Sequence, residues 1–243
     1  MQDERIDNLE INGYKIIQKK DGFCFGIDSV LLSDFAKDIK PGSNVLDLGT
    51  GTGILPILLC AKTKLNKIIG IEIQDDMAKM ASRSSKLNKL DNRFEVVNAD
   101  IKNLDNILNI NEFDAIVTNP PYMELNTGKI NENYKKLISR HEVTASLEDF
   151  ISTSKKFLKD KGSLYIVHRP NRLIDLCYFL RKNKLEPKII RMVYPKKENS
   201  EANLVLVKAV KNGGSFLKVL NPLYVYDENG GYTNEILKIY NKI

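Results

Sequence analysis

An α/β fold, built on a seven-stranded and mostly parallel sheet with helices on both faces, follows from three features of the chain. Strand-length apolar runs alternate with helix-length segments from residue 44 onward. These runs are nearly continuous in apolar character, the pattern of strands covered on both faces. The last two runs are separated only by Pro195 to Ala202, which is too short for a crossover helix, so the last strand is antiparallel.

Residues 9–25 hold two short extended stretches around the turn pairs Asn12-Gly13 and Asp21-Gly22, which predict a small N-terminal hairpin. Asp28-Ser29 is placed to cap a short helix, Val30 to Ala36, and Pro41-Gly42 ends this preface of residues 1–40. Strands are predicted at 44–49, 67–73, 94–99, 113–118, 162–168, 187–194 and 203–210. Helices are predicted at 53–64, where Pro56 falls in the tolerant first turn, and at 75–88, 102–109, 148–160 and 171–184. These elements make 41–211 the main domain. Residues 123–147 form a long polar connection, a length that usually carries function or disorder. The tail, 212–243, begins with Gly213-Gly214 and holds Phe216, Tyr224, Tyr226, Tyr232 and Tyr240, so it is predicted to pack on the domain.

Composition narrows the classes. Apolar residues make up 42% and charged residues 28%, as in a soluble globular domain. Residues 1–10 are polar and acidic, unlike a secretory leader, and the longest apolar run, Ile54 to Ala61, is too short to span a bilayer. Cys24, Cys60 and Cys177 form no CxxC pair and read as reduced thiols of a cytoplasmic protein. With only His141 and His168, no metal site is expected. The net charge is +6, and Arg181 to Lys197 alone holds seven basic residues and one acid, Glu186. Such a patch suits an anionic partner such as nucleic acid, and equally suits a solvated helix end and strand edge. No feature calls for a membrane or an obligatory protein partner.

The chemistry is carried by two motifs. Asn44 to Leu48 runs into Gly49-Thr50-Gly51-Thr52-Gly53, a strand entering a glycine turn that opens a helix. Glu72, at the end of the next strand, is placed to accept both hydroxyl hydrogens of a ribose. Two details argue against a dinucleotide: Ile54 stands where the last glycine of G-x-G-x-x-G belongs, and Asp47 sits at the mouth of the site, where a pyrophosphate is disfavoured and a cation welcome. Asp100, ending the third strand, can accept from an adenine amino group. S-adenosyl-L-methionine is cationic and carries no phosphate, so it fits this set. Capping is the competing reading of Asp47 and Asp100.

The second motif is Asn119-Pro120-Pro121-Tyr122, after the apolar strand 113–118. The Asn119 side-chain oxygen and the Pro120 carbonyl can accept the two hydrogens of a planar amino group and aim its lone pair at a methyl carbon. Both residues precede a proline and are biased to extended backbone. Tyr122 can stack on an extruded base. No cysteine lies in this loop, which disfavours ring-carbon methylation through a covalent adduct. The competing reading is a rigid turn with a packing tyrosine.

On Asp47 to Gly53, Glu72 and Asn119 to Tyr122, the chain resembles the amino-methylating class I S-adenosylmethionine-dependent methyltransferases, which have a Rossmann-like fold. Phe23 to Leu32, Ser139-Arg140-His141-Glu142 and Glu201 to Val207 resemble the bacterial adenine-N6 methyltransferases that act on a valine tRNA beside the anticodon. The resemblance implies catalysis by Asn119, Pro120, Pro121 and Tyr122. It implies cofactor binding by Asp28, Asp47, Gly49, Thr50, Gly51, Gly53, Glu72, Ile73, Asp100 and Asn119. The implied partner is tRNA, with Lys129, Lys135, Lys136, Arg140 and His141 as candidate RNA contacts. Alternatives at this stage are a glutamine-N5 methyltransferase, an enzyme for another RNA, and a non-catalytic RNA-binding protein on the same fold.

Overall fold

The computed structural model describes residues 3–20, 26–122 and 145–242. Two strands, β1 (Glu4–Asn8) and β2 (Lys15–Lys19), pair antiparallel as a hairpin. Helix α1 (Ile27–Phe35) follows. The main body then runs β3 (Asn44–Leu48), α2 (Ile54–Lys62), β4 (Lys67–Glu72), α3 (Asp75–Leu87), β5 (Phe94–Asn98) and β6 (Phe113–Thr118). After the second gap come α4 (Leu147–Phe157), β7 (Leu158–His168), α5 (Leu173–Lys182), β8 (Leu185–Tyr194) and β9 (Leu204–Lys211). The tail adds β10 (Lys218–Val219), β11 (Leu223–Tyr224) and α6 (Asn234–Ile239).

The main sheet is ordered β10-β8-β9-β7-β6-β3-β4-β5, with β11 also on β8. Strands β5, β4, β3, β6 and β7 are mutually parallel. The last long strand, β9, lies antiparallel between β7 and β8. The predicted fold class therefore holds, and β10 and β11 are edge additions whose two-residue length leaves no pattern to read. Alternate side chains of one strand serve two cores. Val45, Tyr165 and Val167 pack with α1 and α2, while Leu46, Leu48, Leu164 and Ile166 pack with α4 and α5. The tail packs on the first of these cores through Leu223, Val225, Ile236 and Ile239.

Several expectations are corrected. The hairpin uses the Asn12-Gly13 turn, with both residues at positive φ, but its first strand is 4–8 rather than a stretch within 9–25. Strand β1 is polar and is held by α3: Arg83 pairs with Glu4, and Ile17 N donates to Ser84 Oγ of α3 from the partner strand. Asp21-Gly22 lies outside the described residues. Helix α1 begins at Ile27, so Asp28 and Ser29 sit in its first turn and cap nothing. The predicted helix 102–109 is a single 3-10 turn, Ile101–Asn103, followed by turns. Asn103, Asn106, Asn109 and Asn111 compete with helical hydrogen bonding there. Residues 158–160, predicted helical, open β7 instead, with an irregular register against β6 between Phe113 and Ala115.

The strand β8 also divides the basic stretch. Arg181, Lys182 and Lys184 lie before the strand and Lys196 and Lys197 after it, about 30 Å apart at ~3.3 Å per residue. Arg181 pairs with Glu186, Lys182 with Glu148 and Arg191 with Glu235. Arg181 to Lys197 is not one patch.

Candidate active site

The carboxyl ends of β3, β4, β5, β6 and β7 share one edge of the sheet, and every described site residue lies there or on α1 above it. The strand order reverses at β3, which has β4 on one side and β6 on the other, the place where open sheets bind ligands. Thr118 Oγ1 donates to the Leu48 carbonyl at 2.8 Å, so the turn after β3 and the tetrad after β6 start side by side.

The turn after β3 needs its glycines. Gly49, Gly51 and Gly53 have φ of 77°, 57° and 87°. A Cβ on Gly51 would meet nothing within 4 Å, so that face is open to a ligand. A Cβ on Gly53 would lie 2.9 Å from the Phe94 ring and 3.3 Å from Ala81 Cβ. Gly53→Ala is therefore expected to cost roughly 2–4 kcal/mol from left-handed strain and overpacking, read as a lowered urea midpoint with an unchanged slope.

Glu72 is buried and accepts from Gly51 N at 2.8 Å and Gln74 N at 2.9 Å, one bond to each carboxylate oxygen. A carboxylate has about four acceptor sites, so both oxygens retain capacity. Burial pushes its pKa up and the backbone donors oppose that shift. Ile73, beside it, is 47% exposed at the rim. Asp47 is 1% exposed, and burial, reinforced by the charge of Glu72, pushes it up to about 7. The Thr50 side chain is near enough to oppose that shift, yet among the described residues neither Thr50 Oγ1 nor Asp47 Oδ2 has a hydrogen-bond partner. A buried carboxylate with an unanswered oxygen is costly unless a cation or donor completes it. Asp100 caps the 3-10 turn through Lys102 N at 2.9 Å, so the capping reading holds for it, with the rest of the carboxylate partly exposed.

At the other end of the site, Tyr122 is the hub. Its hydroxyl donates toward Asp28 Oδ2 and lies 2.8 Å from Asn119 Oδ1. A phenol has one proton, so the two acceptors share or compete for it. Burial, then the charge of Asp28, raises the Tyr122 pKa and keeps that proton in place. Asn119 Nδ2 reaches Ser29 Oγ at 3.4 Å. Helix α1 thus holds the tetrad through two residues of its first turn. His168 meets the Tyr122 ring edge-on at 5.4 Å, and the Arg169 guanidinium lies 4.7 Å over it. Burial lowers the His168 pKa to about 4, so the imidazole is neutral at neutral pH; its Nδ1 accepts from Arg169 N at 2.8 Å, which leaves the single ring proton on Nε2.

The structure thus brings Asp28, Asp47, Gly49, Thr50, Gly51, Gly53, Glu72, Ile73, Asn119, Pro120, Pro121 and Tyr122 to one edge. Lys129, Lys135, Lys136, Arg140 and His141 lie outside the described residues. Sequence reasoning missed Ser29, Thr118, His168 and Arg169. For the last two there was a signal, since His168 ends an apolar strand run as Glu72 does and Arg169 follows it directly.

The chain is 30% identical over 165 residues to a protein of Porphyromonas gingivalis named tRNA1(Val) (adenine(37)-N6)-methyltransferase, a match covering 66% of this chain and 64% of that protein. The chain thus spans a little under two thirds of that curated relative's length. Among solved structures, a predicted O-methyltransferase from Agrobacterium tumefaciens aligns with a TM-score of 0.70 at 22% identity, over 88% of this chain and 95% of that one. The TYW2 protein of M. jannaschii, solved in complex with AdoMet, aligns with a TM-score of 0.59 at 19% identity, over 86% and 85% of the two chains. At these identities the likeness is one of fold. The methyltransferase small domain model matches residues 26–176, more than half of the chain and the whole site from Asp28 to Arg169, and the chain belongs to that family.

Proposed function

We propose that the protein is an S-adenosylmethionine-dependent methyltransferase that methylates N6 of an adenine in tRNA, beside the anticodon of a valine tRNA. One observation carries this reading: near the end of β3, an unanswered buried carboxylate, Asp47, leads into an open glycine turn, and Asn119-Pro120-Pro121-Tyr122 follows the neighbouring strand end. The name of the Porphyromonas gingivalis relative supports the acceptor. A cytoplasmic location accords with it, and no described helix is long and apolar enough to cross a membrane.

The residues fit the cofactor. Asp47 Oδ2 lacks the positive partner that a sulfonium and ammonium ligand brings, and Gly51 leaves room for its approach. Glu72 has acceptor capacity for the ribose hydroxyls, Ile73 an exposed apolar face for the adenine, and Asp100 a partly exposed oxygen at the same rim. The bound group supplies an electrophilic methyl. Asn119 Oδ1 and the Pro120 carbonyl hold the acceptor amine and direct its lone pair, so the rate gain is positioning and electrostatics. Tyr122 presents an aromatic face for the base. Asp28, by engaging the Tyr122 proton, leaves acceptor capacity on Asn119 Oδ1 for the amine. Neutral His168 adds no charge beside the tyrosine ring.

The reading is tested with labelled S-adenosylmethionine and total tRNA from a strain lacking the gene, followed by nuclease digestion to place the label. N6-methyladenosine next to a valine anticodon is expected. Label on protein glutamine, with tRNA unlabelled, would overturn the acceptor.

A further inference from the structure

Of the seven arginines among the described residues, Arg5, Arg83, Arg172, Arg181 and Arg191 are ion-paired, and Arg93 is spent on the carbonyls of Cys60, Thr63 and Leu65. Arg169 differs. It is exposed, and among the described residues it has no carboxylate partner. Its guanidinium lies over the Tyr122 ring, and Nη1 donates to the Asn203 carbonyl at 3.0 Å. Asn203 N in turn donates to Val193 O at 2.9 Å, which ties the arginine's anchor to the strands beside it. One of five N–H donors is used, so a rigid, charged fork is held at the rim with donors left over.

We propose that Arg169 is the RNA phosphate anchor of this site, taking the phosphate next to the nucleotide whose base lies at Tyr122. This rests on the methyltransferase reading above and deepens it. A planar cation braced against the very ring that receives the base is matched to the backbone of the same nucleotide, and guanidinium donors fit phosphate oxygens. The Asn203 bond fixes the fork without neutralising it. No other described arginine combines freedom from a carboxylate with contact to the tetrad.

The experiment compares wild type, Arg169→Gln and Arg169→Lys with a valine tRNA transcript. RNA affinity is measured across a potassium chloride series, together with KM, kcat and cofactor affinity. For Arg169→Gln we expect the log affinity–log salt slope to fall by about 0.7–0.9, one phosphate contact, and KM for RNA to rise by roughly tenfold. Cofactor affinity stays at the wild-type value, and Arg169→Lys restores the slope. An active enzyme whose Arg169→Gln variant keeps the wild-type slope and KM overturns this proposal alone. A loss confined to kcat also overturns it, because Arg169 then acts only through Tyr122. Wild-type protein with no salt-dependent RNA affinity overturns this proposal and the tRNA reading together.

Discussion

Asn119→Ala is expected to slow methyl transfer by about 10²–10³-fold, the range for deleting one preorganised polar group aimed at a reacting centre. Cofactor affinity should change by no more than about twofold, because the described bonds of Asn119 run to Ser29 and Tyr122 and not to the glycine turn. The substitution leaves Tyr122 with Asp28 as its remaining acceptor, so the ring stays anchored and RNA affinity is retained. Single-turnover rates with saturating tRNA, set beside calorimetric cofactor titrations, separate the two quantities. Loss of cofactor binding in step with turnover would make Asn119 a structural residue of the cofactor pocket.

Asp47→Asn acts in the opposite sense on stability and binding. The folded Asp47 carboxyl has a pKa of about 7 against 3.8 for the ordinary group, so the native state resists its ionisation. The sign follows directly: an acid raised on folding gives stability that is fully present below its unfolded pKa. That stability is lost as pH rises between the two values, and the loss is complete above about 7. The neutral amide removes this loss, so the ligand-free variant should gain stability at pH 8, on the order of 2–4 kcal/mol, and gain little at pH 4. Cofactor affinity should drop by about 30-fold or more, because a cationic ligand loses its buried counter-charge. Urea midpoints at the two pH values and calorimetry at pH 8 read both effects. A variant that is less stable at pH 8 and binds the cofactor normally would show that Asp47 serves packing alone.

These contrasts explain what the sequence made legible. The glycine turn, Glu72 and the tetrad are local patterns. Each glycine answers a backbone angle, Glu72 ends a strand, and Asn119 follows a run of mostly buried residues, so reading along the chain finds them. Features that depend on a distant partner are not legible in this way. Strand β1 is polar and is placed by partners distant in sequence, its ladder to β2 and the Arg83–Glu4 pair from α3. Asp28 reads as a helix cap until the helix is seen to start one residue earlier and the tyrosine 94 residues away is seen to reach it. Asp100 goes the other way, since an acid assigned to an adenine amino group gives one of its oxygens to the adjacent turn, as its competing capping reading had it. The basic count from Arg181 to Lys197 is real in one dimension, and an extended strand pulls it apart in three.

The place of β9 sets the order in which the molecule can be completed. This strand, 204–211, is inserted between β7 and β8 and does not extend an edge. During synthesis, β7 must wait with one side of its ladder open until some forty residues more have emerged. Until then β8 has no neighbour on its body side. A nascent or truncated chain ending before Leu204 therefore presents an apolar, unpaired strand at the heart of the sheet, the situation that invites pairing with other chains. Arg169 and its Asn203 anchor are completed by the same late event, so the rim beside the tetrad forms only once the chain beyond Asn203 has been made.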